Sequence, residues 1–145
     1  VGGFSTLSSF PIASGSQSVA AGDLDGDGKV DLIATNTTAS SVSVLHGIGN
    51  GTFAAATSVA TGSQPSCVVA ADVDGDNRLD LVVANAGSGD VSLLHNDGLG
   101  GFVAFRAAVG AAPAWVTVAD LDHDGHPDIT VATNNPFTTT LFSGR

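Results

Sequence analysis

The chain has 145 residues, a formal net charge of −10 at pH 7, 43% hydrophobic residues and a mean hydropathy of +0.30. All 14 of its acidic residues are Asp, and it has one Lys, no Glu and no Met. This composition disfavours helices and suits short strands joined by tight turns. The sequence has no basic patch for nucleic acid and no apolar run long enough to insert into a bilayer, so neither partner is expected.

An acidic nonapeptide occurs three times and divides the chain. The copies begin at Asp23, Asp72 and Asp120, so the starts are 49 and 48 residues apart, and they hold 12 of the 14 acidic residues. In chain order they read Asp23-Leu-Asp25-Gly-Asp27-Gly-Lys-Val-Asp31, Asp72-Val-Asp74-Gly-Asp76-Asn-Arg-Leu-Asp80 and Asp120-Leu-Asp122-His-Asp124-Gly-His-Pro-Asp128. They predict one domain of three repeats of about 48 residues each. The repeats are approximately 1–49, 50–98 and 99–145.

Strand-like patterns surround each copy in the same order. In the first copy, apolar runs at 19–21 and 30–34 flank the acidic segment and a turn follows at Asn36. Residues 42–45 then alternate, and a glycine-rich turn leads to Phe53 and a fourth strand. Such spacing predicts four-stranded antiparallel meanders, so we expect an all-β chain of three β-propeller blades. A β-solenoid with calcium turns repeats at shorter periods, and a generic sandwich would not require three equivalent acidic loops.

The recurring order of strand, acidic loop, strand, Asn turn, alternating strand and Gly-Phe turn resembles the FG-GAP/VCBS repeat. This is the integrin-α-type β-propeller family, common in secreted bacterial proteins, and the resemblance covers essentially the whole chain. The third copy departs most, with His123 in place of Gly26 and Gly75, and with Pro127 before its last Asp. All four of its carboxylates remain, so we expect its metal site to survive.

The acidic segments have the ligand chemistry of a calcium loop. Positions 1, 3 and 5 bring carboxylates into one concavity, position 6 tolerates a positive φ, position 7 supplies a backbone carbonyl, and position 9 closes the ring. Oxygen-only ligands suit Ca²⁺ better than Zn²⁺. The flanking strands and the lack of Glu at position 12 exclude an EF-hand. The predicted ligands of three Ca²⁺ sites are Asp23, Asp25, Asp27, Lys29, Asp31, Asp72, Asp74, Asp76, Arg78, Asp80, Asp120, Asp122, Asp124, His126 and Asp128.

The alternative is three solvated Asp-rich turns without metal, although clustered carboxylates repel one another without a counter-ion. The histidines do not suggest a zinc site from the sequence alone. His123 and His126 are interpreted as loop side chains that point to solvent, and His46 and His95 as polar residues at strand ends.

The repeat order also predicts how the chain assembles. Residues 1–13 are expected to form an outer strand, beside either the C-terminal strands or those of another copy. Three blades cannot close a ring by themselves and would leave edges and blade faces exposed. We therefore expect ring closure by oligomerisation, with a homodimer of six blades favoured and a trimer of nine as the alternative.

A ligand surface is expected at the end of the blades opposite the acidic loops. A Trp among Asn- and Gln-rich loops can stack on a sugar ring, and some members of the resembling family are lectins with sites between blades. The competing interpretation is that the Trp packs between blades. The candidate ligand-binding residues are Trp115, Asn36, Asn85, Asn134 and Gln64.

The sequence favours a calcium-stabilised, non-catalytic interaction module that binds a carbohydrate or a protein. Its expected location is extracellular or at the cell surface, where calcium loops of modest affinity are loaded. One alternative is an accessory domain of a polysaccharide-degrading enzyme, which would require Asp90 and Asp97, the only acids outside the loops, to pair in a cleft. Another is a structural or engineered fragment that self-assembles without a ligand.

Overall fold

The computed structural model describes residues 8–110, 112–134 and 137–144, and within these ranges it contains eleven strands, three antiparallel sheets and no helix. The first sheet has the order β1 (Val19–Gly22), β2 (Asp31–Asn36), β3 (Ser41–Leu45), β4 (Thr57–Ala60). The second has the order β5 (Pro65–Ala71), β6 (Asp80–Asn85), β7 (Asp90–Asn96), β8 (Phe102–Ala108). The third contains β9 (Pro113–Ala119), β10 (Asp128–Asn134) and β11 (Phe137–Phe142), with β10 in the middle.

Each sheet is a meander in which neighbouring strands are consecutive in the chain. The fourth strand of each of the first two sheets comes from the start of the next sequence repeat. Each of these sheets therefore combines three strands of one repeat with one strand of the following repeat. The prediction of blade-like antiparallel sheets is confirmed. Closure of these blades into a ring stays a prediction.

The third sheet has three strands among the described residues. The N-terminal segment was expected to supply an outer strand, but residues 8–13 form no strand and lie beside neither edge of that sheet in a ladder. The rest of the predicted strand, residues 1–7, lies outside the described residues. The structure therefore gives no support to pairing of residues 8–13 with the same chain's third sheet.

Apolar side chains fill the two spaces between consecutive sheets. One core cluster joins the first and second sheets and includes Ile33, Leu81 and Leu94, each without solvent exposure. The other joins the second and third sheets and includes Val82 and Val131. Burying an aliphatic side chain of this size contributes roughly 1.5–3 kcal/mol, so these cores are the main stabilisation of the stacked blades.

Alternation along the strands explains why both faces of the second sheet are buried. Successive side chains of a strand point to opposite faces, so Leu81 packs towards the first sheet while Val82 packs towards the third. The central strand β6 is buried at every position. This stacking holds the three acidic loops at corresponding ends of their sheets.

Candidate metal centre

Each acidic segment links the first strand of a sheet to the second. The first loop is residues 23–31, the second 72–80 and the third 120–128. In each sheet the last Asp of the loop begins the second strand and pairs with the last residue of the first strand. The two ends of every loop are therefore fixed by a strand ladder, and the intervening residues must turn tightly.

The first Asp of the loop organises that turn through backbone N–H groups. Asp23 Oδ1 accepts from the N–H of Gly26 at 2.8 Å and of Asp27 at 3.1 Å, and Asp23 Oδ2 accepts from the N–H of Gly28 at 2.8 Å. Asp72 makes the equivalent three hydrogen bonds at 2.7, 3.2 and 2.8 Å. The carboxylate thus gathers donors that a tight loop would otherwise leave unpaired.

Positive φ is required at two loop positions, of which the sequence identified one. Position 6 has φ values of 81°, 67° and 91° at Gly28, Asn77 and Gly125, as predicted. Position 4 also has a positive φ, including 63° at His123. A side chain is unfavourable in this region, and the two Gly residues at this position in the other loops avoid that cost.

The last Asp of each loop is buried and ties the loop to the end of the third strand. Asp31, Asp80 and Asp128 are 0%, 0% and 1% exposed. One oxygen of each accepts from the N–H at loop position 2, at 2.9, 3.2 and 2.9 Å. The other oxygen accepts from an N–H near the end of the third strand, at 2.8, 2.8 and 3.0 Å. At Asp128 the N–H groups of Leu121 and Gly144 hold the pKa of the carboxyl below its ordinary value.

The loop carboxylates converge closely enough to share a cation. Ligand atoms lie within 4.8 Å of one another in each of three all-carboxylate sets, one per loop. The sets are Asp23, Asp25 and Asp27; Asp72, Asp74 and Asp80; and Asp120, Asp122 and Asp128. Among the remaining predicted ligands, Asp31 and Asp76 join sets that contain a histidine, whereas Asp124 joins none of the sets found among the described residues.

The third loop shows most directly that a cation fits. Asp120 Oδ1 is sequestered from solvent and has no hydrogen-bond partner among the described residues. The equivalent oxygen of Asp23 accepts two N–H groups. A buried carboxylate oxygen without a partner is costly, and a bound cation would satisfy it.

Position 7 was predicted to contribute backbone carbonyls, from Lys29, Arg78 and His126, and this stays a prediction. The structure shows a role for two of the side chains. Lys29 Nζ pairs with Asp27, and the guanidinium group of Arg78 pairs with Asp76. The Lys29 ammonium group lowers the pKa of the Asp27 carboxyl. These cations neutralise part of the loop charge at the rim.

Two residues beside the loop carboxylates were not predicted as part of the site, since His46 and His95 were interpreted as polar residues at strand ends. His46 Nδ1 lies 3.3 Å from Asp31 Oδ2 and 3.4 Å from Asp25 Oδ2. His95 contacts Asp80 Oδ1 at 3.1 Å through Nδ1 and Asp74 Oδ2 at 3.0 Å through Nε2. The strand register is the observation that would have predicted His46 beside Asp31. Leu32 pairs with Leu45, so the next residue pair in that ladder would be Asp31 and His46.

Two of the residues predicted to bind a ligand are buried instead. Asn36 and Asn85 have no solvent exposure. The Asn36 amide bonds to the hydroxyls of Ser41 and Ser43 at 3.1 and 2.9 Å, and Asn85 bonds to Asp90 and Ser92 at 2.8 and 2.9 Å. These amides hold the hairpin between the second and third strands. Because both are buried, they do not fit the predicted role of contacting a ligand. The remaining candidates, Gln64, Asn134 and Trp115, are exposed.

The position of Trp115 is explained by its equivalents in the other sheets. Ser18 Oγ, at the same place in the first sheet, accepts from the N–H of Val68 at 3.2 Å. Cys67 Sγ in the second sheet lies 3.9 Å from the Val116 carbonyl oxygen. Both therefore face the following sheet. Trp115 has the same orientation on the third sheet and is 63% exposed.

The two acids outside the loops do not form a catalytic pair. Asp90 and Asp97 lie at opposite ends of β7 or just beyond it. Asp90 pairs with the Arg106 guanidinium group, whereas Asp97 Oδ1 accepts from the N–H groups of Leu99 and Gly101 at 2.7 and 2.9 Å. A polysaccharide-degrading role would have required these two acids to pair in a cleft, and they do not.

Fold and loops together define a protein built from repeated blade-like antiparallel sheets, of four, four and three strands among the described residues, with an acidic loop in each. The model of the FG-GAP-like repeat matches residues 23–83 and 74–131, which is more than half of the chain. The chain therefore belongs to the FG-GAP-like repeat family, and the family resemblance seen in the sequence is confirmed. A comparison with curated proteins gave no match.

Membership of the family supports a general role as a repeat interaction module. Domains of this kind are generally non-catalytic, often bind calcium and are typically extracellular or associated with a surface. Within the described residues, no helix is long and apolar enough to cross a membrane.

Proposed function

We propose that the protein is an interaction module whose three acidic loops each bind one Ca²⁺. The observation that carries this proposal is the convergence of carboxylate oxygens within 4.8 Å in all three loops. Such groups repel one another unless a cation lies between them. Hard oxygen ligands on a flexible loop are the preferred environment of Ca²⁺.

The charge of the whole chain agrees with this proposal. A net charge of −10 is concentrated in the loops, and three Ca²⁺ would reduce it to about −4. Extracellular calcium modules commonly load at roughly 10⁻⁴–10⁻³ M, so an extracellular or surface location belongs to the same proposal.

Calcium titration of the metal-free chain tests the function. We expect isothermal titration calorimetry to give three Ca²⁺ per chain, and EDTA to lower the melting temperature, because an ion that binds only the folded state stabilises it. Asp25, Asp74 and Asp122 are exposed members of the carboxylate sets. Replacing all three with Asn should abolish most of the calcium heat while leaving the fold intact.

Asp97→Asn is the matched control, because this Asp lies in a turn outside the loops and its Oδ1 acceptor is kept. The control should still bind three Ca²⁺. A chain that releases no heat with Ca²⁺ and melts identically with and without EDTA would contradict the proposed function.

We infer that the partner of this module is a second copy of the same chain. Trp115, Phe137 and Leu141 share the outer face of the third sheet and are 63%, 88% and 55% exposed. The equivalent face of the first sheet packs against the second sheet, and that of the second packs against the third. The same apolar contact, already made twice within the chain, supports a third one between copies.

An apolar groove supports the same partner. It has a volume of about 240 Å³ and lies between the second and third sheets, lined by Leu93, Phe105, Ile129 and Phe142 among others. Phe105 on β8 is 59% exposed. A fourth strand beside β11 would cover this groove, and residues 1–13 of a second copy are the candidate strand. A homodimer is the assembly that we favour, with a trimer as the alternative.

A glycan is the second candidate ligand, and the exposed ring of Trp115 is the observation that favours it. Aromatic rings supply large apolar contact area to ligands. Gln64 and Asn134 are exposed at the same end of their sheets, and Asn134 lies two residues from Ala132, the strand partner of Trp115. Exposed Phe137 and Leu141 on the same face as Trp115 favour another blade over a sugar.

A further inference from the structure

Two of the three acidic loops have an imidazole group beside the carboxylates. His46 belongs to a set with Asp25 and Asp31, and His95 to a set with Asp74 and Asp76, and in each set the ligand atoms lie within 4.8 Å of one another. The corresponding residue of the third repeat is Ser143. The first two loops thus have a mixed nitrogen and oxygen set in addition to their carboxylate set, whereas the third loop has, among the described residues, a carboxylate set alone.

The imidazoles are held in place rather than free in solvent. Their side chains are 35% and 28% exposed, and each ring contacts one rim carboxylate and the buried carboxylate at loop position 9. Asp31 and Asp80 are themselves fixed by backbone N–H groups. At His95 the two ring nitrogens face different carboxylates, so Asp80 at Nδ1 can orient the ring while Nε2 is the ligand atom. At His46, Nδ1 faces both Asp25 and Asp31 and would itself be the ligand atom.

The other two histidines do not share this geometry. His123 and His126 belong to the third loop by sequence, but both are exposed and neither joins a set of possible metal ligands among the described residues. A histidine within the acidic segment is therefore not placed beside the carboxylates. His46 and His95 are placed there because the third strand of each sheet ends beside the acidic loop.

We propose that the first two loops also bind a divalent transition-metal ion such as Zn²⁺ through His46 and His95, whereas the third binds only hard cations. Imidazole suits Zn²⁺ and its neighbours in the first transition series, whereas carboxylates and carbonyls alone suit Ca²⁺ and Mg²⁺. The proposal rests on the proposed function, since it assigns a metal preference to the same loops. It predicts that, in separate titrations, each chain binds two Zn²⁺ or three Ca²⁺.

Zn²⁺ and Ca²⁺ titrations of the metal-free full chain test this preference separately. The test variant carries His46→Gln and His95→Gln, and the matched control carries His123→Gln and His126→Gln. We expect the wild type and the control to bind two Zn²⁺ per chain. The test variant should lose at least about tenfold in Zn²⁺ affinity while still binding three Ca²⁺, because loss of a histidine ligand or its support costs about that much.

Long-range ¹H–¹⁵N spectra of the imidazoles give a readout at the level of single residues. Zn²⁺ should shift the nitrogen resonances of His46 and His95 and leave those of His123 and His126 unchanged. Ser143→His should add a third Zn²⁺ in the calorimetric titration. Each of these results would support direct ligation.

Several outcomes would overturn the inference. Three Ca²⁺ bound with no Zn²⁺ would remove it and leave the proposed function intact. Equal Zn²⁺ loss in the test variant and the control would assign the Zn²⁺ to exposed histidines. A gain of Ca²⁺ affinity in the test variant, without Zn²⁺ binding, would show that the imidazoles act as competing cations. Absence of binding for both ions would remove the inference and the proposed function together.

Discussion

The ninth position of each acidic loop carries a carboxylate with two structural bonds and one proposed ligand role. At Asp80, one oxygen accepts from the Val73 N–H and the other from the Asn96 N–H, and the side chain has no solvent exposure. Asp80 Oδ1 also contacts His95 Nδ1, whereas Oδ2 keeps a second lone pair that leaves room for a cation. The buried Asp should therefore matter to the fold even without metal.

Asp80→Ala is expected to destabilise the metal-free chain by about 2–3 kcal/mol, because it leaves two buried N–H groups without an acceptor. Urea unfolding in EDTA measures this loss. Asp74→Ala is the matched control, since Asp74 is exposed in the same loop and should cost little stability in EDTA while removing a calcium ligand. Equal stability of the two variants in EDTA would show that Asp80 has no structural role.

Residues whose role is set by neighbours in the sequence were predictable. The proximity of the carboxylates at positions 1 and 3 and the positive φ at position 6 follow from a nine-residue motif, whereas, among the described residues, position 5 joins an all-carboxylate set only in the first loop. His46 required the register of a strand that begins ten residues after the loop, and the sequence pattern gives strand alternation but not the residue opposite Asp31. Burial of Asn36 was missed because amides at a turn usually face solvent.

At the scale of elements, the glycine-rich turns before the fourth strands are closed by polar side chains. Between β7 and β8, Asp97 Oδ1 accepts from the N–H groups of Leu99 and Gly101, which hold its pKa below the ordinary value. In the first sheet, Asn50 in the turn between β3 and β4 accepts from the N–H of Thr52 at 3.0 Å. A charged and a neutral acceptor thus serve the same kind of turn.

The Asp97 turn should lose part of its stabilisation in acid. A carboxyl with a lower pKa in the folded state stabilises the fold above the unfolded value of about 3.9, and this contribution is lost as pH falls through the folded pKa. Asp97→Asn does not titrate, so its stability deficit relative to wild type should shrink below about pH 4. Urea unfolding of the metal-free chains from pH 7 to pH 3 measures the difference.

Asn50→Ala provides the control for the turn, since a neutral amide gives no proton linkage. Its stability deficit should be the same at pH 7 and pH 3. A deficit of Asp97→Asn that stays constant, or grows in acid, would contradict the assigned direction of the pKa shift.

Strand identities were predictable because apolar or alternating runs are separated by turns that contain Gly or Asn. The outer strand of the third sheet was not, because residues 8–13 carry the pattern of an outer strand but form none in the structure. An edge strand gains its stability from the ladder that it joins, and a sequence does not specify which copy supplies the neighbouring edge. The local sequence pattern therefore suggests an outer strand but does not specify which sheet edge that strand would join.

At the scale of the whole molecule, the described residues leave large apolar side chains exposed on the outer face of the third sheet. Leu93 and Val91 occupy on the second sheet the positions of Leu141 and Thr139 on the third, and they pack in the core against the third sheet. Leu141, in contrast, is 55% exposed. Exposed large apolar side chains on one face are the basis on which we propose an interface there.

Native mass spectrometry of the full chain, with calcium and with EDTA, tests the interface. We expect a calcium-loaded homodimer in which Trp115 and Leu141 are covered. Trp115→Asp combined with Leu141→Asp should raise the dissociation constant at least about tenfold, because a buried unpaired charge costs several kcal/mol. Thr57→Asp on exposed β4 is the control and should keep the wild-type mass.

Removal of calcium with EDTA should weaken the assembly, since the acidic loop of the third sheet holds the ends of strands that form the proposed interface. A wild-type chain that stays monomeric at every concentration with calcium would overturn the proposed partner. If that monomer also gave a glycan-array signal that Trp115→Ala abolished, the exposed face would belong to a sugar. Dimers that the paired Asp variant leaves unchanged would place the interface elsewhere, because two charges on the third sheet are incompatible with the blade-to-blade contact seen twice within the chain.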